Sequence, residues 1–592
     1  MCFQSAIVNQ MTSRLYQTFL AFCIVIAAAA MPFGKASAQL NPPDNIADTL
    51  GVENLLLVKA GITQALEVGR VGKLTFHDGP GMKAFYEARG YESAWLQSSF
   101  LRQQKAEALV EAFENSWKHG LNPASYHVEE IKRLMSETQG AERFELDLVL
   151  SDALVRYGRD LTGMRVNPKA IGQRSKYWRE PLRGIDILDH VANASDARSA
   201  LAGLAPQGNL YKKLQRELIS LYNTPAEDPD TQIIRLTGLL RPGNSHKAIL
   251  KIRQRMGFDP AKAPQGAYYY DDELAQAVMS FQKAHGLTPD AIIGAHTIKL
   301  MNMTRDDRIN QVLVNLERLR WMEPNKPDRY IMVNVPAAIL WAVEDGRVKI
   351  EMPVVVGREE RPTNIFTTEI TGVRFNPTWT VPPTIKRDDY LPKLREDPYY
   401  LSDRGIELMD GNMTVDPGLV DWNEKTWSEV NQMRMVQGSG ANNPLGLVRV
   451  IMNNPFNIYL HDTPTKSYFK RSNRALSSGC IRLQDAQKVA DFILSHNDNW
   501  SQERKEQILA KGKQVEVAAQ DPLPVYILYQ TVWLGDREQI VYGPDLYGED
   551  RKLLKALTDI GGVVFPADDK SIKTAQINDI SPAAGVDLLS DN

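Results

Sequence analysis

Near residue 328 the spacing of apolar residues changes from the helical period to the strand period, so the chain cannot be one uniform layer of structure. Upstream, stretches such as 105–117 and 142–162 repeat apolar residues every three or four positions. Downstream, 331–335, 339–343 and 348–356 are rich in β-branched residues, and Asp345-Gly346 between the last two is a tight hairpin signal. Further strands are expected at 373–375, 447–452 and 457–461, with 525–530 and 539–542 completing the same domain. A chain of 592 residues has room for about three or four domains. The expected class is multidomain α+β: a helical scaffold, a small three-helix bundle, then a mostly antiparallel β domain with helices added.

The boundaries read as 39–235 for the scaffold, 236–305 for the bundle, 306–327 for a linker helix and 328–553 for the β domain. Within the last, about 385–435 is polar and loop-rich, and reads as an inserted flap or capping segment. Residues 554–592 read as a peripheral, partly disordered tail. In the scaffold, Asp152, Arg156 and Arg159 are expected on a solvated helix face.

The charge is nearly balanced, 69 basic against 72 acidic residues, which gives no nucleic-acid tail and no polybasic membrane patch. At the N-terminus Arg14 precedes the apolar run 19–30, and Ala36-Ser37-Ala38 follows as a small-residue cleavage site. Residues 1–38 are therefore expected to be a signal peptide cut before Gln39, with export to the periplasm; the other reading of this run is a retained N-terminal anchor. No later stretch reaches the roughly 18 apolar residues of a membrane span. Cleavage removes Cys2 and Cys23 and leaves Cys480 with no disulfide partner. Such a cysteine is either buried and inert or kept for its reactivity.

In the bundle, Leu240-Arg241-Pro242-Gly243 opens a helix pattern, a second follows from Asp271 with Leu274, Val278 and Phe281 on one face, and Gly286-Leu287 stops it. The order Ala277-Val278, Phe281-Gln282, His285-Gly286-Leu287, Asp290, Gly294, Thr297 resembles the peptidoglycan-binding domain of many wall enzymes. It departs at Ala291, where that family usually has glycine. His246, His285 and His296 do not have the spacing of a metal site, and no metal or other cofactor is expected.

The chemistry concentrates in Ile458-Tyr459-Leu460-His461-Asp462-Thr463-Pro464 and, 19 positions after His461, Ser477-Ser478-Gly479-Cys480-Ile481-Arg482-Leu483. A cysteine nucleophile needs a base within reach, a group that orients that base, and backbone N–H groups aimed at the developing oxyanion. His461 at a strand end and Cys480 after a small, flexible turn can supply these. Gly479 allows close backbone approach, and its amide with that of Cys480 is a candidate oxyanion hole. One cysteine and one histidine do not make a zinc site.

This passage resembles the signature of the L,D-transpeptidase catalytic domain. Ser478 stands where that family usually has a second histidine, so the likeness is to the large Gram-negative members, which carry Ser-Ser-Gly-Cys after His-Asp-Thr. Those members also join a helical scaffold, a peptidoglycan-binding domain and an insertion in the catalytic domain. The resemblance implies Cys480 as nucleophile, His461 as general base and acid, and the carbonyl near Asp462 as the group orienting His461. Substrate-binding positions implied or suggested are Tyr459, Trp379, Ser478 and Arg482. Arg482 braces either the active-site turn or a substrate carboxylate, and Trp379 lines the cleft or packs a core.

The expected reaction is acyl transfer. Cys480 attacks a tetrapeptide stem at its third residue, D-Ala leaves, and a neighbouring amine takes the acyl group in a 3→3 cross-link. By resemblance, carbapenems acylate Cys480. The same site suits L,D-carboxypeptidase trimming, D-amino-acid exchange or attachment of a protein to the wall, and a non-catalytic wall-binding scaffold is the reading of another class. The expected partners are peptidoglycan stem peptides, donor and acceptor, and other wall-synthesis proteins.

Overall fold

The computed structural model describes residues 45–96, 100–137, 140–167, 171–172, 179–225, 233–324, 326–535 and 537–562. The expected signal peptide and cleavage site lie outside these residues, as does the tail beyond 562. From Leu57 onward the described residues form one unit by their contacts. The architecture is multidomain α+β, helical first and mainly β after residue 328.

The helical part is built around α1 (Arg143–Thr162), whose Leu148, Leu150, Ala153 and Leu154 are wholly buried, and α2 (Asn209–Asn223). Asp152 on α1 is not on a solvated face. It is buried, and its carboxylate accepts from Arg156 Nε at 2.7 Å and from the His77 amide at 2.6 Å. His127 Nε2 meets it as well, at 3.2 Å, and a carboxylate can be buried where three such groups converge on it. Next comes the small bundle, centred on α3 (Asp272–Ala284), with Leu274 and Val278 at its core. Ala291 adopts a left-handed conformation (φ 59°), which explains why glycine is usual there: alanine accepts a strained backbone that glycine would take freely.

The helix expected as a linker is a structural centre. α4 (Arg305–Arg320) begins at a capping box between Thr304 and Asp307. Ile309, Val312, Leu313 and Leu316 insert into the scaffold core. Its polar face holds the chain downstream of the β domain: the Asn315 side chain donates to Thr531 Oγ1 at 2.7 Å and accepts from the Thr531 amide at 2.9 Å.

The β domain contains β1 (Arg329–Asn334), β2 (Ile339–Glu344), β3 (Arg347–Gly357), β4 (Phe366–Phe375), β5 (Val448–Met452), β6 (Leu460–His461), β7 (Ala475–Ser477), β8 (Ile481–Leu483) and β9 (Val515–Leu528). Their order is β7-β3-β8-β6-β5-β4-β9-β1-β2, and β2 also pairs with β3, so the circuit of pairings closes. Closure removes the exposed edges that an open sheet would leave. The Asp345-Gly346 hairpin takes positive φ at both residues (52° and 71°), as a two-residue turn of this type requires. α5 (Ala486–Leu494) follows the Cys480 loop and buries Val489, Ala490 and Ile493 in the β core.

Between β4 and β5 the chain is not the loop-rich flap expected from its polarity. It forms a four-stranded sheet in the order Trp379–Thr380, Arg434–Gln437, Ile406–Asp410, Met413–Val415, with its own core of Leu394, Leu401, Leu408, Trp422, Val430 and Met435. The apolar residues are sparse and spread across short elements, so no window shows a clear period. The segment 539–542 does not join the β domain either. Ile540–Tyr542 pairs with Val532–Leu534, and Val532 and Tyr542 lie in the scaffold core. α6 (Glu549–Asp559) continues past residue 553 and packs Leu553 and Leu557 with Val314 and Trp321.

Candidate active site

His461 and Cys480 are brought together by sheet pairing. β6 runs parallel to β8, with Leu460 beside Ile481 and His461 beside Arg482, so Cys480, one residue before β8, lies beside the start of β6, with His461 two residues further along. The Ile481 amide donates to the Tyr459 carbonyl at 3.0 Å, which extends this pairing by one residue.

The Cys480 loop is held from inside and outside. Ser477 Oγ donates to the Cys480 carbonyl at 2.6 Å and accepts from the Gly479 amide at 3.2 Å. Gly479 has φ 110°, a conformation that a side chain would strain. Thr363, in the connection from β3 to β4, donates from Oγ1 to the Gly479 carbonyl at 2.8 Å. Arg361 in the same connection donates to Ser478 Oγ at 3.1 Å, and its guanidinium also holds Asp389 at 2.6 Å and Asp388 at 3.1 Å. Both aspartates lie on a turn of π-helix, Lys386–Tyr390, in the insert.

His461 is buried, and its Nδ1–H donates to the carbonyl of Asp462 at 2.5 Å. That contact leaves Nε2 as the unprotonated nitrogen, able to accept a proton. The Asp462 carboxylate faces elsewhere, accepting from the Leu447 amide at 3.0 Å and Lys466 Nζ at 2.6 Å. Burial, with the nearby charges of Arg482 and Arg449, pushes His461 down to about 3, against the opposing Asp462 carbonyl. Burial pushes the Cys480 thiol up, while hydrogen bonds from Tyr459 and the charges of Arg449 and Arg482 pull it back. The resting pair is thus a neutral thiol beside a neutral imidazole. The thiol is directed at the Asn457 carbonyl, 3.8 Å away.

Tyr459 precedes β6, and its ring meets His461 edge-on with centroids 5.6 Å apart. It touches both the β core and the core of the insert. Burial keeps the Tyr459 hydroxyl protonated. Gly479, Ser478, Tyr459 and Arg482 therefore surround the Cys480–His461 pair. Trp379 sits in the core of the insert, edge-on to Tyr390 at 6.3 Å.

Four neighbours carried no sequence signal: Arg361, Thr363, Asp389 and Arg449. Arg449 on β5 lies directly across from His461, with its guanidinium 4.2 Å from the centre of the Tyr459 ring. Only the strand register reveals it.

The structure thus sets a cysteine on a tight turn next to a strand that ends in a buried histidine. Residues 328–518 match the family model described as the L,D-transpeptidase catalytic domain. A scaffold domain matches residues 80–218, and a domain described as "putative peptidoglycan binding domain" matches 254–301. A protein of Haemophilus influenzae named "Putative L,D-transpeptidase" is 34% identical over 255 residues, which are 42% of this chain and 50% of that protein. The chain thus spans about half the length of the curated relative it matches. Solved structures with similarity include an L,D-transpeptidase from Stackebrandtia nassauensis (12% identity, 50% of this chain and 96% of that chain, TM-score 0.19). Another is from Xylanimonas cellulosilytica (14%, 50% and 99%, TM-score 0.17), and a third from Mycobacterium smegmatis (13%, 34% and 58%, TM-score 0.18). No helix among the described residues is long and apolar enough to cross a membrane.

Proposed function

We propose that this chain is a periplasmic L,D-transpeptidase that forms 3→3 cross-links through a thioester on Cys480. The observation that carries the reading is the Tyr459–His461–Cys480 cluster: a buried neutral imidazole with a free Nε2, and a thiol on a loop braced by Ser477, Thr363 and Arg361.

Because the thiol rests neutral, His461 acts as a general base, taking the proton as sulfur attacks. The resting thiol bonds to Asn457 rather than to His461, a looseness common before substrate tightens such contacts. Sulfur forms a bond to the carbonyl carbon of the third stem residue, meso-diaminopimelate by resemblance. The bond to the D-Ala nitrogen breaks, and His461 passes the proton to that leaving amine. The amides of Gly479 and Cys480 and the Tyr459 hydroxyl are the donors available to the oxyanion. In the second half, an acceptor amine attacks the thioester, the carbon–sulfur bond breaks, and the proton released by the amine returns to sulfur through His461. The insert, packed on Tyr459 and gripping Arg361, would limit the access of competing water.

The test is to incubate the mature protein and Cys480→Ala with purified disaccharide-tetrapeptide and read the products by mass spectrometry. Dimers with a 3→3 link, absent in the variant, support the reading. Tripeptide alone would move the assignment to an L,D-carboxypeptidase, and no Cys480-dependent product would favour a binding scaffold.

A further inference from the structure

Sheet register sets three arginines in one row with His461. Arg482 on β8 stands beside His461 on β6, His461 beside Arg449 on β5, and Arg449 beside Arg374 on β4. Residues paired across neighbouring strands project from the same face of a sheet. The row ends at Glu516 on β9, which accepts from Arg374 Nε at 2.7 Å and neutralises it.

Arg449 and Arg482 have no such partner. Among the described residues neither side chain makes a hydrogen bond or an ion pair, and the Nε of each is shielded from solvent without an acceptor. Their guanidinium groups lie over aromatic rings instead, Arg449 on Tyr459 at 4.2 Å and Arg482 on Tyr468 at 5.6 Å. Ring faces satisfy part of a guanidinium's charge but none of its N–H groups. Removing such a group from water without an anion is unfavourable, and its planar fork of donors matches a carboxylate. Other buried arginines of this chain find acceptors for part of their fork: Arg253 holds Asp271, Arg320 holds Glu317 at 2.8 Å, and Arg474 donates to the Ala337 carbonyl at 3.0 Å. Two unpaired cations flanking the proposed base therefore mark a place built for a negative charge that arrives with a ligand.

We propose that Arg449 and Arg482 form a carboxylate-binding pair, one on each side of His461, which holds a carboxylate of the donor stem peptide while Cys480 attacks the neighbouring carbonyl. The inference rests on the assignment of Cys480 as nucleophile. It gives the donor site a charge requirement, because an amidated stem peptide would leave both guanidiniums unpaired.

The pair can be tested without turnover. Cys480 of the full chain is alkylated at one pH with iodoacetate, which carries a carboxylate, and with iodoacetamide, which does not, and labelling is followed by mass spectrometry. The wild type is expected to show a higher iodoacetate-to-iodoacetamide rate ratio than free cysteine. Arg449→Met with Arg482→Met should lower that ratio at least about tenfold, the loss expected for charged hydrogen bonds. A merely structural role, or simple stabilisation of the thiolate, would change both rates together and leave the ratio where it was; that result overturns the pair. A second measurement needs no variant: glutarate should protect wild-type Cys480 from iodoacetamide and glutaramide should not, and equal protection by the two would also overturn it. An unchanged ratio with intact Cys480-dependent cross-linking would reject the pair and leave the transpeptidase. A charge-dependent ratio with no cross-linking would do the reverse.

Discussion

The Arg361 guanidinium donates to the Ser478 hydroxyl at 3.1 Å across 117 residues of sequence, and the same nitrogen reaches Asp389 of the insert at 2.6 Å. The insert is thereby tied, through one side chain, to the loop that carries Cys480.

If that tie sets the loop, Arg361→Ala and Asp389→Ala should each slow acylation of Cys480 by about three- to tenfold, and the double variant should be no slower than the worse single one. The coupling expected is on the order of 1 kcal/mol, modest because Asp389 is partly exposed. Single-turnover acylation of the four forms measures it. Additive losses would show that the two residues act separately.

The resting charge state makes a prediction about pH. With the Cys480 thiol pushed up and His461 pushed down to about 3, neither is charged near neutrality. Alkylation by iodoacetamide should rise about tenfold per pH unit between pH 6 and 8, following the thiolate fraction. A plateau below pH 6 would instead reveal a thiolate–imidazolium pair.

The same histidine links stability to acid. Its folded value of about 3 lies below the ordinary 6.5, so below pH 6.5 the unfolded chain binds a proton that the folded chain refuses. This contribution to stability is complete above pH 6.5 and is lost as pH falls toward 3. His461→Gln should flatten that part of the dependence in thermal melts taken from pH 7 to 4.

Gly479→Ala should damage function more than stability. The added methyl would meet the carbonyl oxygens of Pro362 at 3.5 Å and Arg361 at 3.8 Å, both ordinary contacts. The cost comes from φ 110°, about 1–3 kcal/mol, and the loop can relieve it by turning the Gly479–Cys480 amides away from the oxyanion. Acylation is expected to fall more than tenfold with a small change in melting temperature. Equal loss of folding would argue against a local effect.

Asn315→Ala tests the seam between scaffold and β domain. Asn315 is wholly buried, and the change strands the amides of Thr531 and Val532, which bond to its Oδ1 at 2.9 and 3.3 Å. A loss of about 2–4 kcal/mol is expected from the denaturant midpoint, since two buried donors lose their acceptor.

Much of the candidate site was legible because its residues are close in sequence. Ser477 to Leu483 form one turn, and His461 ends a short apolar strand, so residue type and spacing point to both. Arg361, Asp389 and Arg449 were not legible. Each is an ordinary charged residue in its own stretch, and each gains meaning only from a neighbour far along the chain. Trp379 shows the same limit: its environment in the insert depends on Leu394, Trp422 and Met435, which no periodic pattern joins to it.

By itself the sequence determined the elements whose causes lie within one stretch. These are the change of period near 328, the Asp345-Gly346 turn with its two positive φ angles, and the flexible turn before Cys480. Only the tertiary structure decided which elements meet. It closed the β circuit, sank α4 into the scaffold core, took 540–542 away from the β domain, and lined Arg482, His461 and Arg449 in one row. The reason is physical: local conformation follows from steric limits and hydrogen bonds within a few residues. Strand register and burial are instead settled by competition among distant apolar faces, whose outcome no single segment contains.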